Sequence, residues 1–145
     1  MAGRQGLIRR ATTNDIPRIT EIRNNVRENK LADPTRVALE HVRWFISNPG
    51  IFVSEEDGQV VGFSAADPRN GSIWALFMDQ VYEGRGIARA LFEQACAVLR
   101  DAGFERMWLT TDPGTRAEAF YRTAGWNVIG HRGGEMLFEV TVPAR

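Results

Sequence analysis

The chain has 145 residues, 43% of them apolar and 25% charged, the size and make-up of one water-soluble globular domain. Eighteen basic side chains balance eighteen acidic ones, so charge gives no support for a general nucleic-acid or membrane-surface role. A single cysteine, Cys96, and two histidines, His41 and His131, exclude an intramolecular disulfide framework and a cysteine-cluster metal site, and no metal is expected.

The N-terminal "MAGRQGLIRRATTNDIP" carries no apolar stretch of signal-peptide length, and a cytoplasmic location is expected. No apolar run reaches the roughly 20 residues that cross a bilayer. "LIRRAT" (7–12) reads as a first strand. "TTNDIPRITEIRNNVREN" reads as a helix, with Ile16, Ile19, Ile22 and Val26 at helical spacing and Thr12 and Asp15 as a capping pair. Pro17 is tolerated in its first turn. "KLADP" interrupts it, and "TRVALEHVRWFIS" (35–47) forms a second helix ended by "NPG".

Three strand-like runs follow: "IFVSEE", "QVVGFSAAD" and "SIWALFMD". Asp57-Gly58 is a hairpin signal between the first two, and "PRNG" separates the second from the third. From Arg85 to Ala102 the pattern is helical, with Ile87, Leu91, Ala95, Val98 and Leu99 on one stripe and Gly103 past the end. "FERMWLTT" is a strand and "GTRAEAFYRTAG" a short helix, while "WNVIGH" and "EMLFEVTV" form a final hairpin around Gly133-Gly134. The expected order is β-α-α-β-β-β-α-β-α-β-β, an α/β chain with a mixed sheet. Its sheet is antiparallel early and parallel across the 85–102 crossover. Residues 1–145 read as one domain, without linker or repeat.

The chemistry centres on "YEGRGIARAL" (82–91), which lies between a strand and a helix. A helix N-terminus leaves amides unpaired and carries partial positive charge, and glycines let an anion approach the backbone. On its own the stretch is equally well a turn or a phosphate cradle. A Walker loop is excluded because no lysine stands near, and a dinucleotide fingerprint because Arg89 occupies its third glycine position.

"EGRGIA" followed by a helix, a strand and "TRAEAFYRTAGW" resembles the GCN5-related N-acetyltransferase (GNAT) family, and the element order extends the resemblance over essentially the whole chain. The resemblance implies acetyl-CoA as co-substrate, with Glu83, Gly84, Arg85, Gly86, Ile87 and Ala88 as the pyrophosphate loop and Arg89 within reach of a phosphate. It implies that Phe77 and Met78 pair their backbone with the pantetheine arm, on a strand splayed from the next (104–111), and it places Phe120 with the cofactor. Two residues depart from the family pattern. Glu83 stands where glutamine or arginine is usual, and Gly114 where an asparagine often contacts the CoA arm.

Acetyl transfer to an amine needs a neutral nucleophile, stabilisation of the oxyanion and a proton for the departing thiolate. The resemblance assigns that proton to Tyr121 and the oxyanion contact to the backbone amide of Met78. "IWALFM" holds no carboxylate, so the base is sought at Glu28 and Asp33, ahead of Asp79 and Glu135. Cys96 reads as a packed thiol, His41 and His131 as structural or surface groups, and Trp44, Trp74, Trp108 and Trp126 as core, with Trp74 placed near the acceptor. The expected activity is direct transfer from acetyl-CoA to a small-molecule or peptide amine in a ternary complex. The alternatives are a catalytically silent acyl-CoA sensor and a scaffold with no nucleotide site. A homodimer is expected on the resemblance alone.

Overall fold

The computed structural model describes residues 7–25, 39–82 and 84–142. Strand β1 (Leu7–Arg10) leads into a capping box: the Thr12 hydroxyl accepts from Asn14 N–H while Asp15 accepts from Thr12 N–H at 2.8 Å. One turn of 3-10 helix (Thr13–Asp15) therefore precedes α1 (Ile16–Asn25), whose Ile19 and Ile22 are buried. Helix α2 (Leu39–Ser47) buries Val42 and Phe45. The expected start of the first helix at 12 moves inward, to Ile16 behind the 3-10 turn, while Val26 and the expected start of the second helix at 35 lie outside the described residues.

Strands β2 (Ile51–Glu56), β3 (Gln59–Asp67) and β4 (Ser72–Met78) form an antiparallel meander. Asp57 and Gly58 take φ of 52° and 80° at its first turn, the left-handed pair that a two-residue hairpin requires. A second 3-10 turn (Gln80–Tyr82) leads to α3 (Ile87–Asp101), then β5 (Arg106–Thr111), α4 (Arg116–Thr123), β6 (Asn127–Arg132) and β7 (Glu135–Thr141). The sheet order is β1-β2-β3-β4-β5-β7-β6. The seven strands and four helices follow the expected order, and the β4–β5 crossover is parallel.

Two features position the site. First, β4 and β5 meet only at Ser72↔Trp108, where Trp108 N–H donates to Gly71 C=O at 3.2 Å. Beyond that point no further β4–β5 pairing occurs among the described residues, so the sheet opens toward the end of β4. Second, β4 is bulged. Ala65 faces Ala75 and Ala66 faces Ile73, which leaves Trp74 as the extra residue.

The bulge sends Trp74 and Ala75 to the same face. There they join Ile19, Ile22, Phe45, Phe63 and Phe77 under α1 and α2. Ile73 and Leu76 join the opposite core, with Leu99, Met107, Tyr121, Trp126 and Phe138 under α3 and α4. Of the four tryptophans only Trp126, at 4% exposure, is core; the other three are half-buried. Trp108 remains at the surface because its indole N–H is held by Asn70 C=O and its ring lies under the Arg132 guanidinium.

Candidate functional site

The glycine turn ahead of α3 carries φ of 82° at Gly84 and 80° at Gly86, and nothing lies within 4 Å of where a Cβ would stand at either. Gly86 is the N-cap, and among the described residues no side chain caps the helix. An alanine at Gly86 would oppose the left-handed backbone, and a capping side chain would occupy those donors. The turn is thus an open set of N–H groups at the positive end of a 15-residue helix. Ile87 and Ala88 are half-buried in the first turn, while Arg89 and Arg85 are exposed, with Arg85 lying over the Tyr82 ring at 5.0 Å. Glu83 lies outside the described residues.

The open seam begins beside this turn. Asp79 N–H donates to Val61 C=O at 2.8 Å, so the 61/79 and 63/77 pairs carry the ladder bonds between β3 and β4. By the same alternation Leu76 and Met78 turn their N–H and C=O groups away from β3, toward β5. Those groups therefore line the gap. The close packing at this end depends on Gly62, opposite Met78, where a Cβ would stand 2.5 Å from Met78 Sδ and 3.0 Å from Phe77 C=O.

On the α3/α4 side, Tyr121 is 6% exposed and ringed by Phe92, Phe120, Trp126 and Phe138, with centroids 5.4–6.2 Å away. Burial first, then the neighbouring Cys96, pushes its phenol well above the ordinary value. Phe120 is half-buried beside it and meets Phe92 edge-on. Cys96 itself is 5% exposed, and burial pushes its thiol up to about 12, Arg100 opposing and Glu93 adding. A thiol so held is a packing group, not a nucleophile. Gly114, where the family pattern often has asparagine, has φ of 79° and donates its N–H to Glu118 at 2.7 Å; Thr115 caps α4.

The α1/α2 side is laced with arginine. Arg18 donates to Asp79 at 2.7 Å, Glu21 at 3.0 Å and Val60 C=O at 2.7 Å. Burial would raise the Asp79 carboxyl, yet Arg18 and the Val81 N–H hold it below its ordinary value. Asp79 is therefore an ion-paired anchor and a poor base. Glu135 is half-buried in the hairpin pair with Arg132, and His41 and His131 are exposed. Glu28 and Asp33 lie outside the described residues. Trp74 stacks on Phe45 at 4.2 Å, and Arg69, paired with Asp67, covers Trp44 at 3.7 Å.

Arg23 is the residue that sequence patterning does not single out. It stands one position beyond the buried Ile22 and projects over Phe77, 4.7 Å from the ring centroid. Its Nε is buried with no hydrogen-bond partner among the described residues, and burial lowers the guanidinium below its ordinary value. Among the described residues no histidine, cysteine and carboxylate cluster could hold a metal. No helix among them is long and apolar enough to cross a membrane.

The sequence pattern of the acetyltransferase (GNAT) family matches residues 16–126, which takes in both helices of the α1/α2 side, the open seam, the glycine turn and α4. An uncharacterized N-acetyltransferase of Mycobacterium bovis is 30% identical over 121 residues, covering 70% of this chain and 78% of that protein. The ribosomal-protein-alanine N-acetyltransferase of Brucella melitensis has the same fold, with a TM-score of 0.72 at 25% identity over 93% of this chain and 99% of that one. A PaiA N-acetyltransferase from Thermoplasma acidophilum, solved with coenzyme A, matches in fold with a TM-score of 0.70 at 15% identity, over 95% and 99% of the two chains. The chain belongs to the GNAT family and is an N-acetyltransferase.

Proposed function

We propose that the protein moves an acetyl group from acetyl-CoA to an amine by direct attack within a ternary complex. The observation that carries this reading is the open β4–β5 seam ending beside an uncapped glycine turn. The residues present fit the co-substrate: Gly84 and Gly86 leave space where side chains would stand, and α3 has no side-chain cap among the described residues. The turn formed by Gly84, Arg85, Gly86, Ile87 and Ala88 would hold the pyrophosphate through backbone N–H groups, as the notion of an anion at a helix N-terminus requires. Arg89, exposed on the first turn, is positioned for an outer phosphate. When bound, acetyl-CoA supplies a thioester whose acyl group passes to the amine and whose sulfur leaves as thiolate.

The chain's own groups then have separate tasks. The backbone of Phe77 and Met78 orients the pantetheine arm along the edge of β4. The Met78 N–H, turned toward the gap, donates to the carbonyl oxygen as negative charge develops there. Tyr121 is assigned the proton given from its phenolic oxygen to the departing sulfur; burial keeps it protonated through the working pH range and also makes it a weaker donor. Phe120 and Phe92 exclude water on that side. Proton removal from the acceptor is assigned to Glu28 or Asp33, since Asp79 is committed to Arg18.

The test is thiol release from acetyl-CoA across a panel of amines, alongside calorimetric titration of acetyl-CoA alone. Binding with amine-dependent thiol release is expected. Binding without release to any amine makes the chain a sensor of acyl-CoA, and no binding overturns the reading.

A further inference from the structure

A buried N–H of a charged group that lacks a hydrogen-bond partner is costly, because water has been removed from a donor and nothing equivalent returned; Arg23, half-buried, carries such an N–H at Nε. Three other arginines of the α1/α2 side have carboxylate partners. Arg9 holds Asp15 and Glu55 at 2.9 Å, Arg18 holds Asp79 at 2.7 Å, and Arg69 holds Asp67 at 2.9 Å. Arg23 has the face of Phe77 and, among the described residues, no carboxylate and no hydrogen-bond acceptor at Nε. A cation over a ring returns about 0.5–2 kcal/mol but supplies no acceptor for the Nε–H. Arg100 also has a buried Nε without a partner, and both arginines stand in the last turn of their helices, where carbonyls favour a cation; Arg23 differs in lying over Phe77, beside the open seam.

The position of Arg23 decides what would complete it. Phe77 immediately precedes Met78, whose N–H faces the open seam, and Phe77 lies on the opposite sheet face from Leu76 and the Tyr121 cluster. Arg23 therefore flanks the end of the seam on the side away from α3 and α4. We propose that Arg23 is a specificity-determining residue that binds the carboxylate of the acceptor, so that the acceptor is a small amine bearing a carboxylate a few bonds from its nitrogen, as in a free amino acid. The planar fork of arginine matches a carboxylate with two parallel hydrogen bonds. One guanidinium balances a monoanion, and no second unpaired cation converges on Phe77 among the described residues, which favours a carboxylate over a phosphate dianion. Phe77 below and the Trp74–Phe45 stack beside it on the same face give the apolar part of such an acceptor a wall.

This proposal rests on the transferase reading above, and its test separates the two. Amino acids and their matched carboxamides are assayed as acceptors with wild type, Arg23→Gln and Arg23→Lys. In parallel, the corresponding N-acetyl amino acids and N-acetyl amino-acid amides are titrated against the CoA-loaded protein. Wild type is expected to prefer the acids by about tenfold to a hundredfold in kcat/KM, the span of a charge-assisted pair. Arg23→Gln should collapse that ratio through KM, with Arg23→Lys between, and all three proteins should keep the same acetyl-CoA affinity as a check on folding.

Equal use of acids and amides by wild type, or a ratio unmoved in Arg23→Gln, overturns the carboxylate assignment while leaving the transferase standing. If no amine is acetylated but N-acetyl amino acids bind in an Arg23-dependent way, the carboxylate site stands and the transferase reading fails. Absence of both turnover and acid-selective binding removes the proposal.

Discussion

The two faces of the sheet treat charge in opposite ways, although both draw side chains from the same strand, β4. Under α3 and α4, Cys96 and Tyr121 sit among Phe92, Phe120, Trp126 and Phe138, and burial pushes both toward their protonated forms. On the α1/α2 side, Asp15, Asp67 and Asp79 are held below their ordinary values, burial being outweighed at each by an arginine. One face keeps protons on neutral acids and the other keeps carboxylates ionised. An acyl transfer at the seam between them needs both a retained proton for a leaving group and fixed positive charge for an anion. The bulge at Trp74 makes this division possible, because it reassigns alternate residues of β4 between the faces.

The largest expected effect comes from removing the retained proton. Tyr121→Phe should lower the transfer rate by roughly 10²- to 10⁴-fold, the range for general acid catalysis, with acetyl-CoA affinity kept. Steady-state kinetics with calorimetry on the same sample checks it. An unchanged rate would reduce Tyr121 to one more ring in the aromatic cluster, and the α3/α4 face would then be packing alone.

The second effect is on stability in alkali. Cys96 ionises at 9.0 when free and at about 12 in place, and Tyr121 is raised above its free value of 10.0. As pH rises through this window the unfolded chain releases protons that the folded chain keeps, so the unfolded state gains. Stability is full below pH 9.0 and is lost as the pH approaches the folded value. Summed over the two groups the loss is on the order of 2–4 kcal/mol. Melting from about pH 8 to about pH 11 should show the fall, and Cys96→Ala should flatten its first part. A melting temperature level across that range would deny the burial of these protons.

Much of this arrangement was legible in the sequence where the signal is local. Thr12 and Asp15 form the capping box their spacing implies, Asp57-Gly58 makes its turn, and Leu91, Ala95 and Leu99 are fully buried along the α3 stripe. What failed depends on long-range contacts. Periodicity places β6 and β7 as a hairpin but cannot say that β7 lies between β5 and β6. An unbulged reading of "SIWALFM" gives Trp74 the wrong neighbours, and three of the four tryptophans turn out half-exposed because a guanidinium or another ring covers one side of each. The buried arc of α3 is also wider than its stripe, and Cys96 lies within it. Arg23 is invisible to pattern altogether. An arginine beside a buried isoleucine on an amphipathic helix is ordinary until its missing partner is known.

The smallest expected effect tests the acid-labile face. Asp15 is clasped by Arg9 through two hydrogen bonds, at 2.9 and 3.0 Å, while Arg9 also reaches Glu55. The Arg9 bond leads in lowering the Asp15 carboxyl; burial opposes and the Thr12 N–H assists. Below pH 3.8 the unfolded carboxyl takes up a proton that the folded one refuses, so stability present above that pH is lost as the pH falls toward the folded value. Asp15→Asn keeps an oxygen for the Thr12 N–H and removes the charge facing Arg9. It should cost about 1–2 kcal/mol at neutral pH, as Arg9 is partly solvated, and reduce the loss of stability in acid. The alkaline limb should stay as in wild type, because Asp15 takes no part in the Cys96 and Tyr121 cluster. If Asp15→Asn altered the alkaline limb and left the acid limb alone, the two faces would not titrate independently, and the division of charge across the seam would have to be abandoned.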